Sequence, residues 1–507
     1  MALDTLCASA ERSGVNKRVR QAACAIPLRT NAAGELEVLL LRRAPQLSFL
    51  GGFHAFPGGT VDRADAALCP HADGPRRSAA LRELFEETGI LVAAPLPGEQ
   101  QRRALRAQLE VSSAAWQQAV TQNELAPQWD GLIPMGHWIT PPYTPVVYDA
   151  TYFAVWVEPD VPIALATAEH TEALWVPPAR AIERHHRGEL FITYPVLETL
   201  KVMAATPHDM QAASQRMAER SSDPYPTAGG EMLDGVRVVP LRTPTLPPAT
   251  HTNAYILGDQ HLVVVDPGSP YPDEQTRLMT YLRHLEQTLG AQVQEIWLTH
   301  HHRDHIGGVA QLREQLGVPV AAHPKTAAAL QDTLLVERTL EDGDVRQLPR
   351  QQGAPAEWVA LHTPGHTAGH LCFYERTRHT LLSGDVVLGL GTVLVAPPEG
   401  NMQQYMATLE RLNQLPLGFV FPAHGPPIAA GHHKIETYIA HRTMRENAIL
   451  DASGTPHTPR QITRQVYVDV DPQALPLAEM NVRAHLEKLM AEGRVEQDAA
   501  GRYRRVA

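Results

Sequence analysis

Directly after the apolar run EIWL, the chain reads Thr299-His300-His301-His302-Arg303-Asp304-His305-Ile306-Gly307-Gly308. This stretch constrains the fold more than any other, because it places four strong ligand types where a strand predicted from EIWL must end. In extended backbone, residues two apart share a face, so His300 and His302 can grip one metal ion. Asp304 and His305 fall where the two following glycines mark a turn into a helix, and can face a second ion. Three further ligand types sit just past an apolar run or a tight turn: His366 in HTPGHTAGH, Asp385 in LLSGD and His424 in FVFPAHG. The histidines are concentrated around them, with sixteen of the chain's 25 lying between His251 and His441. The expected division gives His300, His302 and His366 to one ion, and Asp304, His305 and His424 to the other, with Asp385 bridging. Such a mixture suits zinc, with manganese or iron as alternatives. Two ions in this arrangement share a hydroxide nucleophile that Asp304 also orients. His301, His362 and His370 fall outside the pattern and are expected to support the ligands or lie at the surface.

The order H-x-H-x-D-H followed by a histidine, an aspartate and a histidine resembles the metallo-β-lactamase superfamily. The resemblance runs from about Val236 to Pro427 and takes in Thr252-Asn253-Ala254-Tyr255 and Val265-Asp266-Pro267-Gly268. It implies an αββα sandwich with a dinuclear site at the edge of its sheets. The aspartate inside the first motif disfavours antibiotic hydrolysis. SGDVVLGLGTV, YMATLERL, YIAHRTMREN and AEMNVRAHLEKLMAEGRV are similar to the β-lactamase-like protein two group, which includes single-strand-specific endoribonucleases. That likeness implies a winged-helix-like C-terminal domain and a phosphodiester substrate such as single-stranded RNA. The same metal cage serves glyoxalase II-like thioester hydrolysis and lactone hydrolysis. From Asp451 onward the chain carries eight basic and eight acidic residues, and its formal charge is -11. Neither favours strong nucleic-acid affinity.

A second constellation lies at Leu81-Arg82-Glu83-Leu84-Phe85-Glu86-Glu87-Thr88-Gly89-Ile90. On a helix, Leu81, Leu84 and Phe85 share one face and Glu83, Glu86 and Glu87 the other. Three carboxylates at that spacing repel one another unless a cation sits among them. With Phe56-Pro57-Gly58-Gly59-Thr60-Val61-Asp62 upstream, this resembles a Nudix box. The resemblance implies Mg²⁺ (or Mn²⁺) held mainly by Glu86 and Glu87, Glu83 as ligand or partner of the base, and Arg82 orienting them. Hydrolysis of a nucleotide conjugate, a nucleoside diphosphate linked to another group, would follow. Gly59 and Arg82 stand 23 positions apart where the box has 14, and Gly74 occupies the position of the usual glutamate. Asp62, Asp65 and Asp73 are the candidates to replace it. LLLRRAPQLSFLGGFHAFPGG and GHWITPPYTP are similar to the branch related to coenzyme A diphosphatases, and an alternative role for this half is a nucleotide sensor that binds without hydrolysing.

The expected organisation is α/β throughout: a Nudix α/β/α sandwich over 18–205, a polar linker over 206–232, the metallo-β-lactamase αββα sandwich over 233–433 and a winged-helix-like module over 434–507. At about 100 to 200 residues per domain, 507 residues fit that division. Cysteines 7, 24, 69 and 372 have no paired spacing, which predicts free thiols in a reducing compartment. No stretch has the length and apolarity of a membrane span and no leader is evident, so a cytoplasmic enzyme without a membrane partner is expected.

Overall fold

In the computed structural model, residues 19–47, 50–140, 146–165, 169–221, 230–350 and 354–506 are described. Cys7, the linker residues 222–229 and the PPYTP part of GHWITPPYTP lie outside them. The chain forms two compact units that meet in sequence at Leu233 and Asp234.

The first unit is built on one mixed sheet. Its central strand, Val19–Thr30, runs parallel to Val147–Trp156 and antiparallel to Leu36–Arg43, while Ile133–Ile139 lies antiparallel along Val147–Trp156. Alternation along the central strand sends Ala23 and Ala25 to one face and Ile26 and Leu28 to the other. The first face is covered by the helix Gly74–Thr88 through Ala80, Leu81, Leu84 and Phe85, its apolar side. Gly89 ends this helix in the left-handed conformation at φ 76°, which costs glycine nothing. The second face is covered by Pro178–His186, Tyr194–Ala205 and Met210–Ser221. The last of these lies inside the stretch expected as a linker. Its Met210, Ala213 and Met217 recur at helical spacing and are buried in the core of this unit.

The second unit contains two sheets packed face to face. One runs in the order Arg338–Thr339, Val320–Ala322, Gln292–Trp297, His261–Val265, His251–Leu257 and Val236–Arg242. The other runs Val345–Leu348, Ala356–His362, Leu371–Glu375, Thr380–Gly384 and Val420–Pro422. Between them the rings of Trp297 and Phe373 approach to 4.9 Å and those of Tyr255 and Phe421 to 5.7 Å. Helices including Pro272–Leu289, Val309–Leu316, Met402–Asn413 and Gly431–Ala452 accompany the sheets, giving the expected αββα arrangement.

Gly431–Ala452 then continues into a small module with Pro459–Val466, Leu475–Ala491 and the hairpin Val495–Gln497 with Tyr503–Arg505. Ile449, Ile462, Val482, Leu486 and Tyr503 form its core. Ala484 belongs instead to the core beneath Tyr405 and Leu409, so the module shares apolar packing with the sandwich. Among the described residues no helix is long and apolar enough to cross a membrane.

Candidate metal centres

The seven ligand types expected in the second unit come together at the ends of strands. The strand His261–Val265 ends on Asp266, a non-glycine residue at φ 49°, whose carboxylate accepts hydrogen bonds from the Thr299 amide (2.8 Å) and hydroxyl (2.6 Å). That grip fixes the residue immediately before His300. Asp266 also pairs with His305 Nδ1 at 2.8 Å, which sets the tautomer and turns the Nε2 lone pair inward. Gly268 lets the next segment approach closely, since a Cβ there would lie 1.8 Å from the Asp304 carbonyl oxygen.

His302 Nδ1 lies 3.0 Å from both His300 Nε2 and His366 Nε2, so three imidazole nitrogens converge. Beside them, the ligand atoms of Asp304, His305 and His424 form a second group within 4.8 Å of one another. Asp385 stands between the two. Its Oδ2 is 3.6 Å from His366 Nε2, while its Oδ1 is 3.3 Å from His424 Nε2 and 3.5 Å from His305 Nε2. The outer nitrogens are engaged away from this centre: His366 Nδ1 with the Leu394 carbonyl (2.7 Å) and His424 Nδ1 with the His251 carbonyl (2.9 Å). Each ring thus presents one nitrogen inward, as a metal ligand must.

The residues fit a pair of divalent ions on two grounds. First, His305 Nε2 and Asp385 Oδ1 are buried and form no hydrogen bond, an arrangement that leaves costly polar atoms unless a cation meets them. Second, the charges are graded. Burial, reinforced by His305, His302 and His366, drives the His300 pKa well below its ordinary value, and burial with His302 takes His366 down to about 4, so both offer neutral lone pairs. At His305 burial opposes a positive charge, yet Asp385, Asp304 and Asp266 together raise its pKa well above the usual value. Carboxylates that attract a proton there attract a metal ion for the same reason, with release of the proton.

The histidines outside the pattern separate. His370 is fully buried; its Nε2 accepts from the Asp385 amide (3.1 Å) and its Nδ1 meets the Thr363 hydroxyl (2.9 Å). It therefore holds the backbone of the bridging residue. His362 lies at the edge, with Nε2 on the Ala368 carbonyl (2.9 Å). His301 pairs with Glu399, a residue the sequence did not mark, which also reaches His302 Nε2 at 3.2 Å.

In the first unit, Arg82 is the hub. It donates to Asp65 through Nε (3.2 Å) and Nη2 (3.0 Å), to Glu83 (2.8 Å) and to the Thr60 carbonyl (3.0 Å). Of the three candidate aspartates, Asp65 is thus the one beside the arginine. Five residues separate Gly59 from Asp65, the spacing of the box, so the extra residues fall between Asp65 and Arg82. Asp62 instead caps a short helical turn and Asp73 pairs with Arg77.

Glu83, Glu86 and Glu87 crowd one face. Burial, tempered by Arg82, raises the Glu83 pKa to about 7, and burial with the Glu83 charge raises Glu87 well above its usual value. Gly59 makes room for them, because a Cβ there would lie 2.5 Å from the Glu83 carboxyl. Glu87 also accepts from the Gly58 amide (3.0 Å), and its carboxylate forms a potential ligand group with Glu169 and His170, neither of which the sequence marked. Crowded oxygen ligands beside a glycine cradle fit a hard divalent cation.

The comparisons agree with this arrangement. The NUDIX domain family matches residues 19–195, the metallo-beta-lactamase superfamily 247–424 and the beta-lactamase associated winged helix domain 458–503. The beta-lactamase-like protein 2 homolog of Caenorhabditis elegans is 31% identical over 251 residues, 48% of this chain and 80% of that protein. A hydroxyacylglutathione hydrolase of Bdellovibrio bacteriovorus is 34% identical over 165 residues, 32% of this chain and 58% of that protein. A solved NUDIX hydrolase from Alicyclobacillus acidocaldarius is 30% identical, covering 39% of this chain and 97% of its own with a TM-score of 0.36. A metallo-beta-lactamase domain and a NUDIX domain on one chain mark it as a hydrolase. It belongs to the metallo-beta-lactamase superfamily, in the beta-lactamase-like protein 2 group with its winged helix, and carries a NUDIX domain ahead of that fold.

Proposed function

We propose that the second unit hydrolyses an acyl thioester at a dinuclear centre held by His300, His302 and His366 on one side, Asp304, His305 and His424 on the other, and Asp385 between. The observation that carries the dinuclear part of this reading is the division of Asp385, whose two oxygens face different histidine groups. Two divalent ions held by these seven residues, zinc in our reading, would lower the pKa of water at the site and offset the negative charge that develops on the substrate carbonyl. Asp304 Oδ2, 3.5 Å from His424 Nε2, accepts the proton of the attacking water and orients it. The hydroxyacylglutathione hydrolase likeness supports a thioester, and the balanced charge of the C-terminal module supports it over RNA.

In the first unit we assign Mg²⁺-dependent hydrolysis of a nucleoside diphosphate linked to another group, with Glu83, Glu86 and Glu87 as the ligand face and Arg82 orienting them. An acyl-coenzyme A carries both bonds, a thioester and a nucleoside diphosphate linkage, and so is the compound class that unites the two activities. Incubation of the metal-loaded chain with S-lactoylglutathione, an acyl-coenzyme A, a lactone and single-stranded RNA separates the classes, with Asp304→Asn as control. Thioester cleavage lost in Asp304→Asn is expected. RNA cleavage alone, lost in the same variant, would overturn the thioester assignment in favour of the phosphodiester reading.

A further inference from the structure

Of the three converging imidazoles His300, His302 and His366, the last two are held from outside by one loop. Leu394 accepts from His366 Nδ1 at 2.7 Å, and Glu399 reaches His302 Nε2 at 3.2 Å. Asn401 closes the loop, its amide donating to the Gly365 carbonyl (2.7 Å) next to His366. Between Gly391 and Gly400 the chain has neither strand nor helix, so its own ladder cannot fix where the Leu394 carbonyl points.

The anchor comes from the C-terminal helices. Asn481 Oδ1, on Leu475–Ala491, accepts from the Val395 amide at 3.0 Å. Arg442, on Gly431–Ala452, donates to the Val393 carbonyl and, at 3.2 Å, to Asn481 Oδ1, with its guanidinium over the Tyr405 ring. These contacts fall on the residues immediately before and after Leu394. Both side chains are buried, Arg442 at 3% and Asn481 at 7% exposure. If they served only to join the module to the sandwich, apolar residues of the same volume would do so without desolvating a guanidinium and an amide. What apolar residues cannot do is hold a carbonyl and an amide on either side of Leu394 in one orientation.

We propose that Asn481 and Arg442 are positioning residues for the His300, His302 and His366 site, acting through the 393–399 loop. The C-terminal module is then a structural part of the metal centre. This inference rests on the reading of those three histidines as ligands.

The test uses the full chain with cobalt(II) as probe, its affinity measured by chelator competition and its site geometry by visible absorption. Residues that orient a ligand typically change metal affinity 10–100-fold. Asn481→Leu and Arg442→Met are each expected to weaken one of the second unit's two ions by about tenfold or more, leaving its other ion and the first unit's ion unchanged. Glu399→Gln, on an exposed side chain that folding does not require, is expected to weaken the same ion. Asn481→Asp keeps the acceptor for the Val395 amide and is expected to retain the affinity. Ile462→Ala, a cavity in the module's core away from the loop, is expected to retain it also, although it lowers the module's stability. If Asn481→Leu and Arg442→Met bind both ions as the parent does, or lose no more than Ile462→Ala, the proposal is overturned. Should Asn481→Leu not fold, Arg442→Met and Glu399→Gln decide by the same criterion. A parent chain that binds no ion refutes the metal-centre reading itself, and this inference with it.

Discussion

Removal of the Asp65 carboxylate tests the buried charge network around Arg82. Asp65 is fully buried and accepts from the Asp62 amide (2.9 Å), the Ser78 hydroxyl (2.9 Å) and two nitrogens of Arg82. Breaking a buried ion pair by deleting one partner costs about 3–5 kcal/mol, because the other charge stays desolvated. Arg82 keeps Glu83 and the Thr60 carbonyl, so Asp65→Ala falls at the lower end, about 3 kcal/mol. The other two aspartates give an internal scale. Asp62→Ala loses a cap on the Ala64 amide, about 1 kcal/mol, and Asp73→Ala loses a half-exposed pair with Arg77, about 0–1 kcal/mol. Hydrogen exchange of the helix Gly74–Thr88 reads this unit without interference from the second. At about 1.4 kcal/mol per decade, Asp65→Ala is expected to speed its slowest amides by about two decades and the other two variants by less than one. Equal effects for the three variants, or less than about 1 kcal/mol for Asp65→Ala, would refute the assignment of Asp65 as the partner of Arg82.

Gly268→Ala would set a methyl group 1.8 Å from the Asp304 carbonyl oxygen, so the segment carrying Asp304 and His305 must move; at least a tenfold loss in divalent-metal affinity is expected, and unchanged affinity in a competition titration would contradict the packing. Glu86→Gln is expected to abolish Mg²⁺-dependent release of phosphate products from nucleotide conjugates while leaving thioester turnover intact; an unchanged product profile would make the first unit a binding module. Stability of the first unit is expected to fall between pH 6.5 and 4. Burial takes the His185 imidazole down to about 4, so the unfolded chain binds its proton first, and stability is full above pH 6.5 and lost as the pH drops. His54 and His170, which burial likewise takes down to about 4, add to the same loss; His185 contributes about 3 kcal/mol of it, so His185→Gln should make the profile followed by urea unfolding shallower by that amount, and an equally steep profile in the variant would contradict the cause.

The candidate ligands are legible because the sheet geometry that gathers them is local: His300, His302, Asp304 and His305 follow one strand, and His366, Asp385 and His424 each follow another turn or strand. Asp65 stayed one of three because its spacing is regular only when counted forward from Gly59. The helix Met210–Ser221 was hidden by its polar composition, although Met210, Ala213 and Met217 mark a buried stripe. Glu399, Leu394 and the pair Arg442 and Asn481 carry no such signal. The bonds of Arg442 and Asn481 join a loop without periodicity to helices some 50 to 90 residues further along, and the loop takes part through backbone groups, the Val393 and Leu394 carbonyls and the Val395 amide.

If the second unit holds two ions with Asp385 between them, elemental analysis of zinc, manganese and iron distinguishes the purified chain from Asp385→Asn. Two equivalents in the parent chain and at least one fewer in the variant are expected, with the first unit's Mg²⁺ site unaffected. A single equivalent, or the same content in both proteins, would contradict the dinuclear centre.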